Sequence, residues 1–277
     1  MIEKKYGIIG NPLSHSLSPK LHNFWFKKNN IKANYSLIEI EKKKIKDIIN
    51  KIRAQEFHGI NVTTPYKQEV IPYLDVIVND AKKTSSVNTI YLNGENKIIG
   101  ENTDVYGFEE SFLNKLEVEK LGEKNFLILG AGGVTPSIIY ALKKKKVTKL
   151  FLSNRTQQKA EAIKKLFPFI EIISWENIYQ KTVEMDIIIN ATSLGMKNNF
   201  DFETLIKKFK SSLVYYDVIY NPLETKMLKN FKEHKIKTFN GLEMFLFQAQ
   251  KSFSLWNKII PNVDDELKKE IVSNLKK

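Results

Sequence analysis

The chain has 277 residues, 42% of them hydrophobic and 27% charged, with a formal net charge of +13 and no cysteine. That length and composition fit two ordinary globular domains rather than a disordered or fibrous chain, and no apolar run nears the roughly 18 residues that a membrane span needs. The lack of cysteine excludes disulfides, thiolate nucleophiles and cysteine-liganded zinc, so any redox chemistry falls to a bound organic cofactor.

Strand and helix patterns alternate from the start. Residues 6–9 read as a strand, 19–29 as a helix, 34–40 as a strand, 43–54 as a helix and 59–62 as a strand. This βαβαβ order implies a mainly parallel sheet with helical crossovers. Pro65 ends the third strand, and Lys67 is expected to open a helix continuing through Glu69 and Val70. Asn61, Thr63 and Lys67 then stand at the carboxyl end of a buried strand, where open α/β sheets bind ligands. By spacing alone, one lysine in so lysine-rich a chain reads better as a solvated surface charge. Residues 87–91 and 97–100 form two short strands joined by Asn93-Gly94, a hairpin signal. Just beyond comes Glu101-Asn102-Thr103-Asp104, whose last carboxylate could partner a lysine, cap the next helix, or do both.

A second unit begins near residues 104–113. Residues 126–129 form a continuous apolar strand that Gly130-Ala131-Gly132-Gly133 turns into a helix over 136–145. Further strands are expected at 149–153, 170–173, 187–190, 213–217 and 237–239, with alternating helices completing a doubly wound fold. The last segment, 241–258, is an amphipathic helix with Met244, Phe245, Gln248 and Ser252 along one side, and it is expected to pack back on the first domain. The expected domains are 1–105, completed by 241–277, and 106–240.

A strand, then Gly130-x-Gly132, then a helix is the arrangement that receives a pyrophosphate: glycines let the backbone approach, and helix amides meet the anion. Thr135 stands where a third glycine is usual, and Pro136 is tolerated in a first helical turn. At the end of the next strand a chain that binds NAD usually carries an acidic residue for the ribose hydroxyl. Here stand Asn154, Arg155 and Thr156, with Lys159 one turn on, and Arg155 is one of only two arginines in the chain, the other being Arg53. An arginine there can pair with a 2′-phosphate, so the cofactor is read as NADP. The lysines are spread along the chain, and the Lys143 to Lys146 cluster falls where a helix ends and suits its dipole. Without interleaved aromatics they do not suggest nucleic-acid binding. His15, His22, His58 and His234 show no metal-ligand spacing, and no metal is expected. The N-terminal residues 1–7 lack a signal-peptide core, so a cytoplasmic protein without membrane association is expected.

In chain order, Gly10-Asn11-Pro12 through Ser16-Leu17-Ser18-Pro19, Asn61 to Lys67, Ser86-Val87-Asn88-Thr89, Asn102-Thr103-Asp104, Gly130 to Gly133, Asn154-Arg155-Thr156, Asn190 to Met196, Asp217 to Pro222 and Gly241 to Gln248 resemble the shikimate dehydrogenase family. The resemblance spans nearly the whole chain. It implies a Rossmann-type NADP-binding domain beside a mainly parallel substrate domain, and NADP-dependent, reversible reduction of 3-dehydroshikimate to shikimate in aromatic amino-acid biosynthesis. It further implies that Lys67 and Asp104 are the catalytic pair, that Ser16 and Ser18 receive the substrate carboxylate, and that Thr63, Asn88 and Gln248 hold the ring hydroxyls and carboxylate. Asn61 supports that cluster, and Tyr220 is a further substrate contact. On the cofactor side it implies Gly130, Ala131, Gly132, Gly133 and Val134 at the pyrophosphate, Asn154, Arg155, Thr156 and Lys159 at the adenosine phosphate, and Val218, Gly241 and Met196 near the nicotinamide. A monomer or homodimer is expected. The rival readings are a quinate/shikimate paralogue that also accepts NAD, a methylenetetrahydrofolate dehydrogenase with a similar two-domain plan, and a non-catalytic NADP-binding or basic nucleic-acid-binding protein.

Overall fold

The computed structural model describes residues 3–195 and 208–275. The chain divides into two compact units, one formed by Met1–Gly107 with Leu246–Asn274 and the other by Phe108–Phe245.

The first unit runs β1 (Lys4–Gly10), α1 (Ser18–Lys28), β2 (Ala33–Glu39), α2 (Ile45–Arg53), β3 (Gly59–Val62), β4 (Val76–Ile77), α3 (Asn79–Thr84), β5 (Thr89–Leu92) and β6 (Ile98–Glu101). Its sheet has the order β2-β1-β3-β5-β6-β4, and only β5 runs antiparallel to its neighbours. All four residues of β3 are buried, as expected of a central strand covered on both faces. One cover is α2, whose Ile45, Ile48, Ile49 and Ile52 recur at helical spacing and pack with Ile60, Val62, Ile90 and Ile98.

The helix expected from Lys67 does not form. Residues 64–70 are successive turns leading into a short 3-10 segment, Ile71–Tyr73. Val70 does donate to the Tyr66 carbonyl at 3.1 Å, but the Ile71 amide already turns to Gln68, and Pro72 has no N–H with which to extend a helical ladder. Three strands or α-helices escaped the sequence reading: the short strand β4, helix α3 and a C-terminal helix over Asp265–Ser273.

α4 (Asp104–Ser111) leads into the second unit, which continues β7 (Asn125–Leu129), α5 (Thr135–Lys144), β8 (Lys149–Ser153), α6 (Gln157–Leu166), β9 (Glu171–Ile172), α7 (Ile178–Thr182), β10 (Ile187–Asn190), β11 (Val214–Asp217), α8 (Lys226–Glu233) and β12 (Lys237–Phe239). The strand order is β12-β11-β10-β7-β8-β9, all parallel. Counted within this unit that is the order 3-2-1-4-5-6 of the dinucleotide-binding fold, with its switch point between β7 and β10. Leu127, Ile188, Tyr215 and Phe231 lie in its core.

α9 (Leu242–Asn257) returns the chain to the first unit, and α10 (Asp265–Ser273) closes it. Phe253 packs on Trp25 and Phe26 of α1, and the Trp25 indole N–H donates to the Asn262 carbonyl at 3.0 Å. Within this aromatic cluster, His22 stacks on Tyr35 at 4.4 Å.

Candidate active site

The topology of the first sheet brings distant segments to one edge. β1 and β3 are parallel, with Ile9 opposite Val62, so the loops that follow them start side by side. They touch there: the Asn11 amide donates to the Thr64 carbonyl at 3.2 Å, and a Cβ on Gly10 would lie 2.5 Å from the Thr63 methyl. β5 is antiparallel to β3, so its beginning, not its end, reaches the same edge, and the Val62 amide donates to the Asn88 carbonyl at 2.8 Å. β6 reverses again and delivers Asn102, Thr103 and Asp104 beside Asn88.

Lys67 and Asp104 meet at this edge. The Lys67 ammonium donates to Asp104 Oδ2, and the two side chains retain only 13% and 9% of their exposure. That shielding sets the pair apart from the surface ion pairs of the chain, since solvent screens the latter far more. Asp104 is the first residue of α4, yet its carboxylate is used elsewhere: Oδ1 accepts from Asn88 Nδ2 at 2.9 Å.

Ser16 and Ser18 come together at the start of α1, with their hydroxyls 3.2 Å apart, and the Ser18 amide donates to Ser16 Oγ at 3.3 Å. The helix takes Leu17 as its N-cap position with no side-chain cap. Thr63 follows β3 directly. Asn61 is fully engaged inside the unit, its Oδ1 accepting from the Tyr35 hydroxyl at 2.8 Å and its Nδ2 donating to the Asn88 carbonyl and Ser252 Oγ, each at 3.0 Å. Gln248 lies on α9 one turn before Ser252, whose hydroxyl is 3.1 Å from the Gln248 carbonyl. Thus Ser16, Ser18, Thr63, Lys67, Asn88, Asp104 and Gln248 all belong to the first unit, whereas Tyr220 belongs to the second, stacked on Phe245 at 4.6 Å.

In the second unit the loop after β7 is shaped by its residues in three ways. Gly130 has φ +106°, and a Cβ there would meet the Ala191 carbonyl oxygen at 2.8 Å, so only glycine fits. Gly132 meets nothing closer than 3.8 Å, leaving room beside the backbone. Thr135 replaces the missing third glycine with a hydrogen-bonding role: its hydroxyl donates to the Gly130 carbonyl at 2.8 Å and accepts from the Gly132 amide at 3.2 Å. The Ala131 amide donates to Asn154 Oδ1 at 3.0 Å, tying the loop to the end of β8. Gly133 and Val134 have no acceptor for their amides among the described residues, at the start of a ten-residue helix. Free amides there suit an anion.

At the end of β8, Arg155, Thr156 and Lys159 are exposed, and neither cation pairs with a carboxylate among the described residues. Asn154 is used internally, since its Nδ2 also donates to the Thr156 carbonyl at 2.8 Å. The structure brings Val218 and Gly241 into contact: the Gly241 amide donates to the Ile219 carbonyl at 3.0 Å, and a Cβ on Gly241 would lie 2.0 Å from the Val218 oxygen. Met196 lies outside the described residues.

Sequence reasoning passed over two polar networks. One joins Thr89, Thr103 and Ser252 to Asn88, and its signal was a serine on the apolar side of α9. The other centres on Asp217, whose carboxylate accepts from Asn190 Nδ2 at 3.1 Å, the Ile219 amide at 3.0 Å and Thr225 Oγ1 at 2.9 Å. Thr225 in turn caps α8 through the Leu228 amide. Burial pushes the Asp217 carboxyl up to about 6 despite these donors.

A dinucleotide-binding strand order in one unit, and a shielded lysine–carboxylate pair at the strand ends of the other, define a two-unit pyridine-nucleotide oxidoreductase. Sequence and structural comparisons narrow this. The family model for the shikimate dehydrogenase substrate binding domain matches residues 8–90, and that for shikimate/quinate 5-dehydrogenase matches residues 113–238. A shikimate dehydrogenase (NADP(+)) of Pelagibacter ubique (strain HTCC1062) is 49% identical over 96% of this chain and 97% of its own. A crystal structure of a shikimate dehydrogenase in complex with NADP+ superimposes with a TM-score of 0.86 at 33% identity, covering 99% of this chain and 96% of that one. The chain belongs to the shikimate dehydrogenase family. A quinate dehydrogenase from Corynebacterium glutamicum in complex with NAD also superimposes, with a TM-score of 0.85 at 26% identity over 98% of this chain and 99% of that one, so the fold alone does not set substrate or cofactor.

Proposed function

We propose that the chain catalyses the reversible, NADP-dependent interconversion of shikimate and 3-dehydroshikimate, with Lys67 and Asp104 as its acid/base pair. The observation that carries this reading is the shielded Lys67–Asp104 ion pair at the common edge of β3 and β6. Bound NADPH supplies the hydride for the ketone carbon. As that carbon accepts two electrons, its oxygen becomes an alkoxide, and Lys67 donates an N–H proton to it, giving the alcohol and a neutral amine that solvent reprotonates. A positioned acid of this kind contributes about 10² to 10⁴ in rate. Asp104 orients the ammonium and accepts from the same substrate hydroxyl.

The remaining roles follow from the chemistry of a polyhydroxylated carboxylic acid. The adjoining hydroxyls of Ser16 and Ser18 receive its carboxylate, Thr63 and Gln248 bond its ring hydroxyls and carboxylate, Asn88 contributes through Asp104, to which it gives one amide hydrogen, and Tyr220 adds a further contact. Gly130 to Val134 receive the pyrophosphate at the N-terminus of α5, Arg155 with Lys159 faces the 2′-phosphate, Asn154 and Thr156 shape that site, and Val218 and Gly241 lie by the nicotinamide. In this reading the first unit takes the substrate and the second the nucleotide. Among the described residues no helix is long and apolar enough to cross a membrane, and no cluster of acidic, histidine or cysteine side chains could hold a metal.

Following NADP reduction by the absorbance of the reduced nicotinamide, with shikimate and again with quinate or with NAD, tests the assignment. Turnover with shikimate and NADP at least about tenfold above either substitution is expected, a margin of roughly 1.4 kcal/mol. Equal rates with NAD or quinate would overturn it.

A further inference from the structure

Behind Asp104 lies a group of uncharged polar side chains, Asn88, Thr89, Thr103 and Ser252, all nearly or wholly buried. Such groups are costly to bury unless each finds a partner, and these find one another. Ser252 Oγ is 2.7 Å from Thr89 Oγ1, and Thr89 Oγ1 donates to Asn88 Oδ1 at 3.0 Å. Asn88 Nδ2 donates to Thr103 Oγ1 at 3.0 Å, and Thr103 Oγ1 is 3.2 Å from Ser252 Oγ. Ser252 Oγ also lies 3.1 Å from the Gln248 carbonyl; with its proton directed instead to the nearer Thr89 and the Thr103 proton to Ser252, each hydroxyl donates once within a closed ring. One proton leaves it: the second amide hydrogen of Asn88, which goes to Asp104 Oδ1.

The backbone fixes which way the Asn88 amide faces. The Thr103 N–H can only donate, and it lies 2.8 Å from Asn88 Oδ1. A turned amide would set NH₂ against that N–H and its carbonyl oxygen against the Asp104 carboxylate. The ring holds the same amide from its other side, and Asn61 Nδ2 feeds into it at Ser252 Oγ.

We propose that this ring makes Ser252 a positioning residue for the Lys67/Asp104 pair, acting through Thr89, Thr103 and Asn88 without touching substrate or the reacting atoms. The inference rests on the assignment of Lys67 and Asp104 as the catalytic pair. Removing the Ser252 hydroxyl opens the ring, lets the Asn88 amide tilt, and loosens the support of Asp104 Oδ1. Gln248, one turn earlier on α9, keeps its backbone position, so substrate affinity changes less than turnover.

The test is a double-mutant cycle in the shikimate/NADP assay. Ser252→Ala is expected to lower kcat about 5- to 20-fold with KM for shikimate changed by less than about twofold, and to cost less than about twofold when added to Asp104→Asn. Thr89→Val is expected to reproduce the loss and Thr89→Ser to recover most of it, which keeps the cycle available if Ser252→Ala folds poorly. Additive losses, or a lowered melting temperature with unchanged kcat, would overturn the proposal. Wild-type turnover in Asp104→Asn alone would instead remove the catalytic-pair assignment, and this inference with it.

Discussion

Asn88 gives one amide hydrogen to Asp104 Oδ1 at 2.9 Å, while Lys67 gives an ammonium hydrogen to the other oxygen of the same carboxylate. Each oxygen therefore has its own donor, and the carboxylate cannot rotate without losing one of them. The ammonium is thereby held in place at the strand edge, which is what a positioned acid requires.

Lys67→Ala is expected to lower kcat by about 10² to 10⁴ with a smaller change in KM for shikimate. Asp104→Ala is expected to lower kcat as well and to leave Lys67 without its orienting partner. Steady-state kinetics of both variants check this, and a Lys67→Ala enzyme with normal kcat and only a raised KM would sink the acid/base role.

Arg155→Ala is expected to raise KM for NADP about 10- to 100-fold, the loss of one or two charge-assisted hydrogen bonds. Because the side chain is exposed and faces no carboxylate, folding is not expected to change, and kcat/KM with NAD should stay within about twofold. Parallel titrations with the two nucleotides read the difference directly. An equal loss for both would show that Arg155 does not select the phosphate.

Gly130→Ala combines a left-handed φ of +106° with a Cβ 2.8 Å from the Ala191 oxygen. A loss of roughly 2 to 4 kcal/mol in stability is expected, together with weakened NADP binding. Urea unfolding and nucleotide fluorescence titration measure the two effects, and an unchanged unfolding midpoint would contradict the strained geometry.

His22 is fully buried, with neither ring nitrogen hydrogen-bonded among the described residues, and burial pushes its pKa down to about 3 from 6.5. The unfolded chain therefore takes up a proton below about pH 6.5 that the folded chain refuses until about pH 3. Stability from this group is complete above pH 6.5 and lost as pH falls, by roughly 2 kcal/mol at pH 5. His22→Phe keeps an aromatic ring on Tyr35 and is expected to lose about that much less stability between pH 8 and pH 5. Urea midpoints at the two values decide it, and parallel pH profiles for variant and wild type would rule out this role.

The motifs that point to this candidate site stand out in the sequence because each carries its own local physics. Gly130-x-Gly132 between an apolar strand and a helix is by itself also an ordinary tight turn, but a lone arginine at the next strand end stands out in a chain with only two. The turns after Pro65 were misread as a helix because residues 67–70 contain ordinary helix formers, and the hydrogen bonds that redirect the chain lie outside that window. Thr89, Thr103 and Ser252 were passed over because a buried hydroxyl looks the same in sequence as a surface one.

The sequence by itself determined the alternation of strands and helices, the glycine-rich turn Gly130-Ala131-Gly132-Gly133 between a strand and a helix, the basic strand end at Arg155 and the family to which the chain belongs. These depend on neighbours within a few residues or on ordered motifs. Only the tertiary structure decided that the beginning of antiparallel β5 meets the ends of β3 and β6, which is what places Asn88 against Asp104 and Asp104 against Lys67. Strand pairing is a long-range choice made by the whole buried sheet, and a carboxylate acquires its partners only after that choice is made.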